Sequence, residues 1–126
     1  MRSTSDVLDF KDLKVWQRAR QLSRRTHACT LRLPEWERYK LGAQMRQAAT
    51  SVQFNIAEGH EREHLGDYLH HLSIASGSLR ELEAQLIYCA DVRYFPQAEV
   101  NEILAECAEA GRMLEGLAQA LRQRKK

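Results

Sequence analysis

Residues His60-Glu61-Arg62-Glu63-His64 spell H-E-x-x-H, the pattern of zinc proteases. The chemistry needs a helix. Histidines at i and i+4 then share one face and hold the metal, and the glutamate reaches the metal-bound water. His70 stands where an extended form of the motif has its third ligand, but Asp67 occupies the position at which that form needs glycine for a turn. Gly59 directly precedes the pentapeptide and reads as a helix C-cap, and Gly66 follows two residues after it. The motif therefore falls across a loop. A metal-dependent hydrolase is the least favoured reading, and no resident metal or cofactor is expected. The spacing of His60, His64 and His71 suits adventitious metal binding better than catalysis.

Other catalytic templates are absent. The chain has no G-x-S-x-G and no phosphate-cradling glycine loop. Cys29, Cys89 and Cys107 are odd in number and widely spaced, which suits a reducing, cytoplasmic compartment better than a disulfide framework. Cys29 and Cys107 fall on apolar stripes and read as core thiols.

Four helical segments must position these residues. Val15, Ala19, Leu22, Thr26 and Cys29 share one stripe of a segment over about 9–32, capped by Asp6 or Asp9 and ended by Leu33-Pro34. Leu41, Gln44, Ala48, Ser51, Val52, Asn55 and Ile56 share a face over about 35–58. Leu65, Tyr68, Leu72, Ala75, Leu79, Leu82, Leu86 and Ala90 do so over about 65–92. Val100, Ile103, Cys107, Ala110, Leu114, Leu117 and Leu121 do so over about 97–122. No segment alternates with period two, so the fold class is all-α. Short connections make it a single antiparallel, up-down-up-down four-helix bundle domain. There is no apolar run long enough to span a membrane and no apolar run behind the N-terminus to suggest a signal peptide.

Polar residues fall inside this bundle. Antiparallel pairing around residue 62 sets Ser51 level with Ser76 and Gln44 level with Glu83. Pairing around residue 34 brings Lys11 and Lys14 near Asn55 and Glu58. Each buried polar group needs a partner, because leaving one unsatisfied costs about 1–3 kcal/mol. Hydrogen bonds are thus expected among Gln44, Ser51, Asn55, Ser76 and Glu83, with Glu58 paired to a lysine of the first helix. A catalytic carboxylate pair, Glu58 with Glu83, is the alternative. The structural network is favoured, since such networks fix register in bundles without chemistry.

The net charge of +2 is unevenly placed. Residues 1–50 hold eleven Lys/Arg against five Asp/Glu, and residues 51–126 hold eight against twelve. Lys11, Arg18, Arg25 and Arg32 recur every seven residues with Lys14 beside them, and Arg20 and Arg24 widen the basic surface. Distributed cations of this kind suit phosphate contacts that weaken with salt. No base-reading motif accompanies them, so such binding is expected to be poorly sequence-specific. Glu99, Glu102, Glu106 and Glu109 offer another use for the ridge, as its partner in a neighbouring subunit. Leu8, Phe10 and Leu13 point away from the apolar stripe and, with the opposed charges, suggest a homo-oligomer.

Three stretches, FKDLKVWQRA (10–19), LPEWERYKLGAQMRQAATSVQFNIAEG (33–59) and LSIASGSLRELEAQLIYCA (72–90), carry a family resemblance. The chain resembles the bacterial four-helix bundle family named for proteins encoded in intervening sequences of large-subunit ribosomal RNA. It is similar also to the accessory variability determinant of diversity-generating retroelements. The likeness spans about residues 10–121 and rests on Asn55, Glu58, Gly59, Ser78, Glu81 and Glu83, with Lys11, Lys14 and Arg18 matching basic positions. It implies a ring-shaped homopentamer without catalytic residues and, in the retroelement branch, a basic surface that binds RNA and a reverse transcriptase. Arg93 stands where the family usually has glycine.

The expectation is a non-enzymatic oligomeric scaffold binding RNA or a ribonucleoprotein weakly through Lys11, Lys14, Arg18, Arg25 and Arg32. The alternative is an oligomeric protein-interaction module with no nucleic-acid role.

Overall fold

The computed structural model describes residues 9–124. The capping alternative Asp6, the exposed Leu8 and the basic Lys125 and Lys126 lie outside the described residues. Four long helices form the bundle: α1 (Lys14–Thr30), α3 (Leu41–His60), α4 (Leu65–Asp91) and α5 (Gln97–Arg124). A single-turn helix, α2 (Glu35–Arg38), joins α1 to α3, and a 3-10 turn over Phe10–Asp12 precedes α1. No strand occurs among the described residues. The helices pack in the cyclic order α1, α3, α4, α5, with α5 returning against α1. The all-α antiparallel bundle is the architecture that the apolar periods predict.

The stripes are the reason. Ala19, Leu22 and Cys29 of α1 meet Met45, Val52 and Ile56 of α3, Leu79, Leu82 and Leu86 of α4, and Val100, Ile103 and Cys107 of α5 in one core. Burying each large aliphatic side chain contributes about 1.5–3 kcal/mol. On α3 the buried face includes Met45 and Ala49, so Gln44 is turned to solvent instead of inward.

Two boundaries differ from the sequence reading. The first helix starts at Lys14, not Asp9, because the Asp9 carboxylate accepts from the Lys11 amide at 2.9 Å and draws residues 10–12 into the tight turn. Phe10 and Leu13 consequently fold inward. The Phe10 ring meets Trp16 edge-on at 5.1 Å, and Leu13 packs against the core. The second segment breaks at Tyr39 and Lys40, splitting α2 from α3.

The end of α4 is closed by a Schellman motif. Tyr94 N–H bonds Cys89 O at 2.8 Å, Arg93 N–H bonds Ala90 O at 3.1 Å, and Arg93 sits at φ 64°. Gly59 has a different duty from the capping role that its place in the sequence suggests. It lies inside α3, where a Cβ would stand 2.8 Å from the His71 Cβ and 3.0 Å from Tyr68 Cδ1. Glycine is there so that α3 and α4 can approach closely.

Candidate nucleic-acid interface and the polar seam

The basic residues of α1 divide into two sets. The first faces α5. Arg25 donates to Glu102 at 2.9 Å and also pairs with Glu106, and Arg32 pairs with Glu99. Hydrogen bonding to Glu102 holds the Arg25 guanidinium above its ordinary pKa. Farther along, Arg112 bonds Glu109 at 2.5 Å and holds that carboxyl below the usual range, with a smaller contribution from Arg18. Arg25 and Arg32 thus form a ladder with the acids of α5 within one chain, and Arg18 extends its charge toward Glu109 without a direct pair. Arg25 and Arg32, expected to contact nucleic acid, and Glu99, Glu102 and Glu106, expected to serve a neighbouring subunit, already have partners within the chain. The Arg32 guanidinium also lies 5.1 Å from the Phe95 ring centroid, fixing it further.

The second set faces solvent. Lys11, Trp16, Gln17, Arg20, Gln21 and Arg24 line a groove of about 540 Å³ on the outer side of α1, and among the described residues no acidic side chain lines it. Lys14, also exposed, stands one turn before Gln17. Lys11 lies on the 3-10 turn, 3.6 Å from Asp9. Among the described residues Lys14, Arg20 and Arg24 make no ion pair. The Arg20 guanidinium sits 5.8 Å from the Trp16 ring centroid. Of the basic residues singled out by the seven-residue spacing, only Lys11 belongs to this groove. Arg20 and Arg24, assigned only to a widening of the ridge, supply its other cations.

A polar seam runs between α3 and α4. Ser51 and Ser78 exchange a hydrogen bond at 2.7 Å, and Asn55 Nδ2 donates to Ser51 O at 2.9 Å and to Ser51 Oγ at 3.1 Å. Asn55 Oδ1 meets His71 Nδ1 at 2.9 Å, and Glu58 Oε2 lies 3.6 Å from the same nitrogen. Ser51 and Asn55 are therefore in a network, but with different partners. Ser76 turns toward α5, beside Leu114 and Ala118, and Ser78 takes its expected place. Gln44 does not meet Glu83, which instead accepts from Arg80 at 2.7 Å. Glu58 pairs with His71 and Arg62, not with a lysine of α1. The α3–α4 register is close to the expected one, but within it Ser51 meets Ser78 in place of Ser76, and Asn55 meets His71. The two carboxylates of the catalytic alternative lie far apart. Glu83 stands twelve residues along α4 from His71, the neighbour of Glu58, a distance of roughly 18 Å at 1.5 Å per residue.

His71 and Ser78 are the members that sequence reasoning missed. The signal was present for His71. It lies as far beyond the α3–α4 turn as Asn55 lies before it, the arrangement of antiparallel neighbours.

The H-E-x-x-H segment is divided by the fold. His60 ends α3, Glu61 is its C-cap, and His64 is the extended N-cap of α4. The two histidines share no helical face, so the spacing that gives the motif its chemistry is lost. Among the described residues no group of three His, Cys, Asp or Glu is placed to share a metal ion. All three thiols are buried, and burial pushes Cys29 up to about 11 and Cys89 and Cys107 up to about 12. A thiol protonated at neutral pH is a poor nucleophile.

An antiparallel four-helix bundle with intrachain charge ladders and a polar interhelical seam defines the class of protein. Within that class the chain belongs to the 23S rRNA-intervening sequence protein family, whose model matches residues 11–116. The solved structures include a similar protein of unknown function from the S23 ribosomal protein family of Bacteroides thetaiotaomicron. It is 20% identical, with a TM-score of 0.78 over 82% of this chain and 97% of that one. At that identity the likeness establishes the shared fold. No curated protein matches the chain. Among the described residues no helix is long and apolar enough to cross a membrane.

Proposed function

We propose that this protein is a non-enzymatic homo-oligomeric scaffold that binds RNA weakly through the outer face of α1. One observation carries the reading. Of the cations on and before α1, Arg25 and Arg32 pair with acids of α5, whereas Lys14, Arg20 and Arg24 have no ion-pair partner among the described residues and stand beside a groove lined, among those residues, by no acid. Such a surface neutralises phosphates and releases counterions. The few cations involved make the binding weak and strongly salt-dependent.

Oligomerisation is supported by large apolar side chains left in solvent. Phe54 of α3 is 61% exposed, and Ile87 of α4 is 49% exposed. A five-membered ring is the assembly that the family resemblance suggests. It predicts a mass five times the 14.6 kDa of the chain by light scattering.

Fluorescence anisotropy with labelled RNA at several salt concentrations tests the RNA role. Affinity should fall linearly on logarithmic axes as salt rises. The double change Lys14→Glu with Arg24→Glu should abolish binding while the assembly keeps its mass. The same apolar exposure favours a second reading, an interaction module with no nucleic-acid role. There the double change breaks the assembly and no RNA binds to the unaltered protein.

A further inference from the structure

The groove on α1 holds more than charge. We infer that it stacks an unpaired nucleotide, so that the protein takes single-stranded RNA in preference to duplex. This inference rests on the RNA reading above and names the form of RNA that the same surface selects.

The Trp16 ring is half-buried and fixed. Phe10 meets it edge-on at 71°, and its inner side packs against the core. Arg20 lies over the ring, so an aromatic plane and a guanidinium sit together at the floor of the groove. Bases stack on both kinds of surface, and a ring already held in place loses little conformational freedom on binding. Gln17 Nε2 donates to Lys11 O at 2.9 Å, which anchors the side chain and leaves its carbonyl oxygen to accept from a base edge. Trp16 and Arg24 are separated by eight residues of helix, roughly 12 Å at 1.5 Å per residue. Lys11 and Arg24 are thirteen residues apart, roughly 20 Å at 1.5 Å per residue, so they reach phosphates several nucleotides apart on either side of a stacked base.

A duplex cannot use this arrangement. Its bases are stacked inside, and it offers phosphates, 2′-hydroxyls and base edges to a protein surface but, along its length, no free base face. It would engage the cations and leave Trp16 idle. The more exposed aromatics at α2 and its C-cap, Trp36 at 70% and Tyr39 at 81%, are poorer candidates. Neither ring lies under a guanidinium or against another ring among the described residues, so neither is held in place as Trp16 is.

The test uses the intact protein carrying Trp36→Phe, so that Trp16 is the sole indole. The probes are a short single-stranded oligoadenylate and a blunt RNA duplex of the same length. The single strand should quench Trp16 emission and bind about tenfold more tightly than the duplex, near the lower end of what one stacked base contributes. Trp16→Leu should remove that preference. Should Trp16→Leu not fold, Arg20→Lys keeps the charge without the guanidinium plane. It should weaken the single strand several-fold more than the duplex. Equal or tighter duplex binding, or Trp16 emission unmoved at saturation, overturns the stacking inference and leaves the RNA reading standing. Binding to neither RNA overturns both. Displacement of the oligoadenylate by polyglutamate at equal charge concentration overturns the stacking inference in favour of an acidic protein partner.

Discussion

Arg25 and Arg24 are adjacent in sequence, and the structure gives them opposite duties. Arg25 is two-thirds buried at its side chain and holds two carboxylates of α5. Arg25→Gln removes both charge-assisted bonds. It also leaves Glu102 and Glu106, one turn apart, to repel each other by a few tenths of a kcal/mol. The pair with Glu102 is open to solvent and contributes little, whereas the Glu106 carboxylate is more enclosed, at 26% exposure. The expected loss is about 1–2 kcal/mol, read as a lower midpoint in chemical denaturation with an unchanged slope. RNA affinity and its salt dependence should stay as they were. Arg24→Gln should do the reverse. Stability should move by no more than about 0.5 kcal/mol, as for other exposed positions. The slope of log affinity against log salt should fall by about 0.7, the value of one phosphate contact on a single strand. Both variants need to be compared at one salt concentration, since the ladder is itself screened. A loss of salt slope in Arg25→Gln equal to that in Arg24→Gln, with no loss of stability, would refute the division of α1 into an inner ladder and an outer binding face.

Three further changes probe the fold. Arg93→Gly relieves a left-handed residue that costs an arginine about 1–2 kcal/mol. Glycine's greater freedom when unfolded takes back part of this. A net gain of about 0.5–1 kcal/mol in thermal or chemical unfolding is expected. Gly59→Ala should destabilise by about 1–2 kcal/mol, because the new methyl meets the His71 Cβ at 2.8 Å and the gain in helix propensity is smaller than the cost of parting α3 from α4. Gly77→Ala, which meets nothing within 4 Å, is the control and should stabilise. The three buried thiols predict a pH dependence. Their folded pKa values, about 11 and 12, lie above the unfolded value near 9, so the stability that they contribute is intact below pH 9 and lost as pH rises toward 11–12. Denaturation midpoints should fall over that window, and the fall should shrink in a variant with all three cysteines changed to alanine or serine, the raised Tyr68 and Tyr94 hydroxyls keeping a share of it. In the folded protein at neutral pH, a thiol reagent should react only at the rate of unfolding.

How much of this was legible in the residues follows from which forces act locally. Burial of apolar stripes is read by period alone, so Val15, Ala19, Leu22, Thr26 and Cys29 mark the inner face of α1 without any knowledge of its neighbours. Breaks were harder. Tyr39 and Lys40 interrupt the second segment with neither proline nor glycine, and their signal is the packing of α2 against Gly42 and Leu33, which no local pattern reveals. Register was harder again. A rotation too small to expose an apolar residue decides whether Ser51 meets Ser76 or Ser78 and whether Glu58 faces a lysine of α1 or His71. The basic ridge shows where information was present but underused. Residues seven apart drift by only about 20° around a helix, so Arg18, Arg25 and Arg32 follow one groove. Glu109, Glu106, Glu102 and Glu99 descend α5 as those arginines ascend α1. Two stripes of opposite sign, matched in spacing and opposed in direction, are what neighbouring antiparallel helices of one chain require. The cations left without such a counterpart, Arg20 and Arg24, are then the ones to examine for a partner outside the chain.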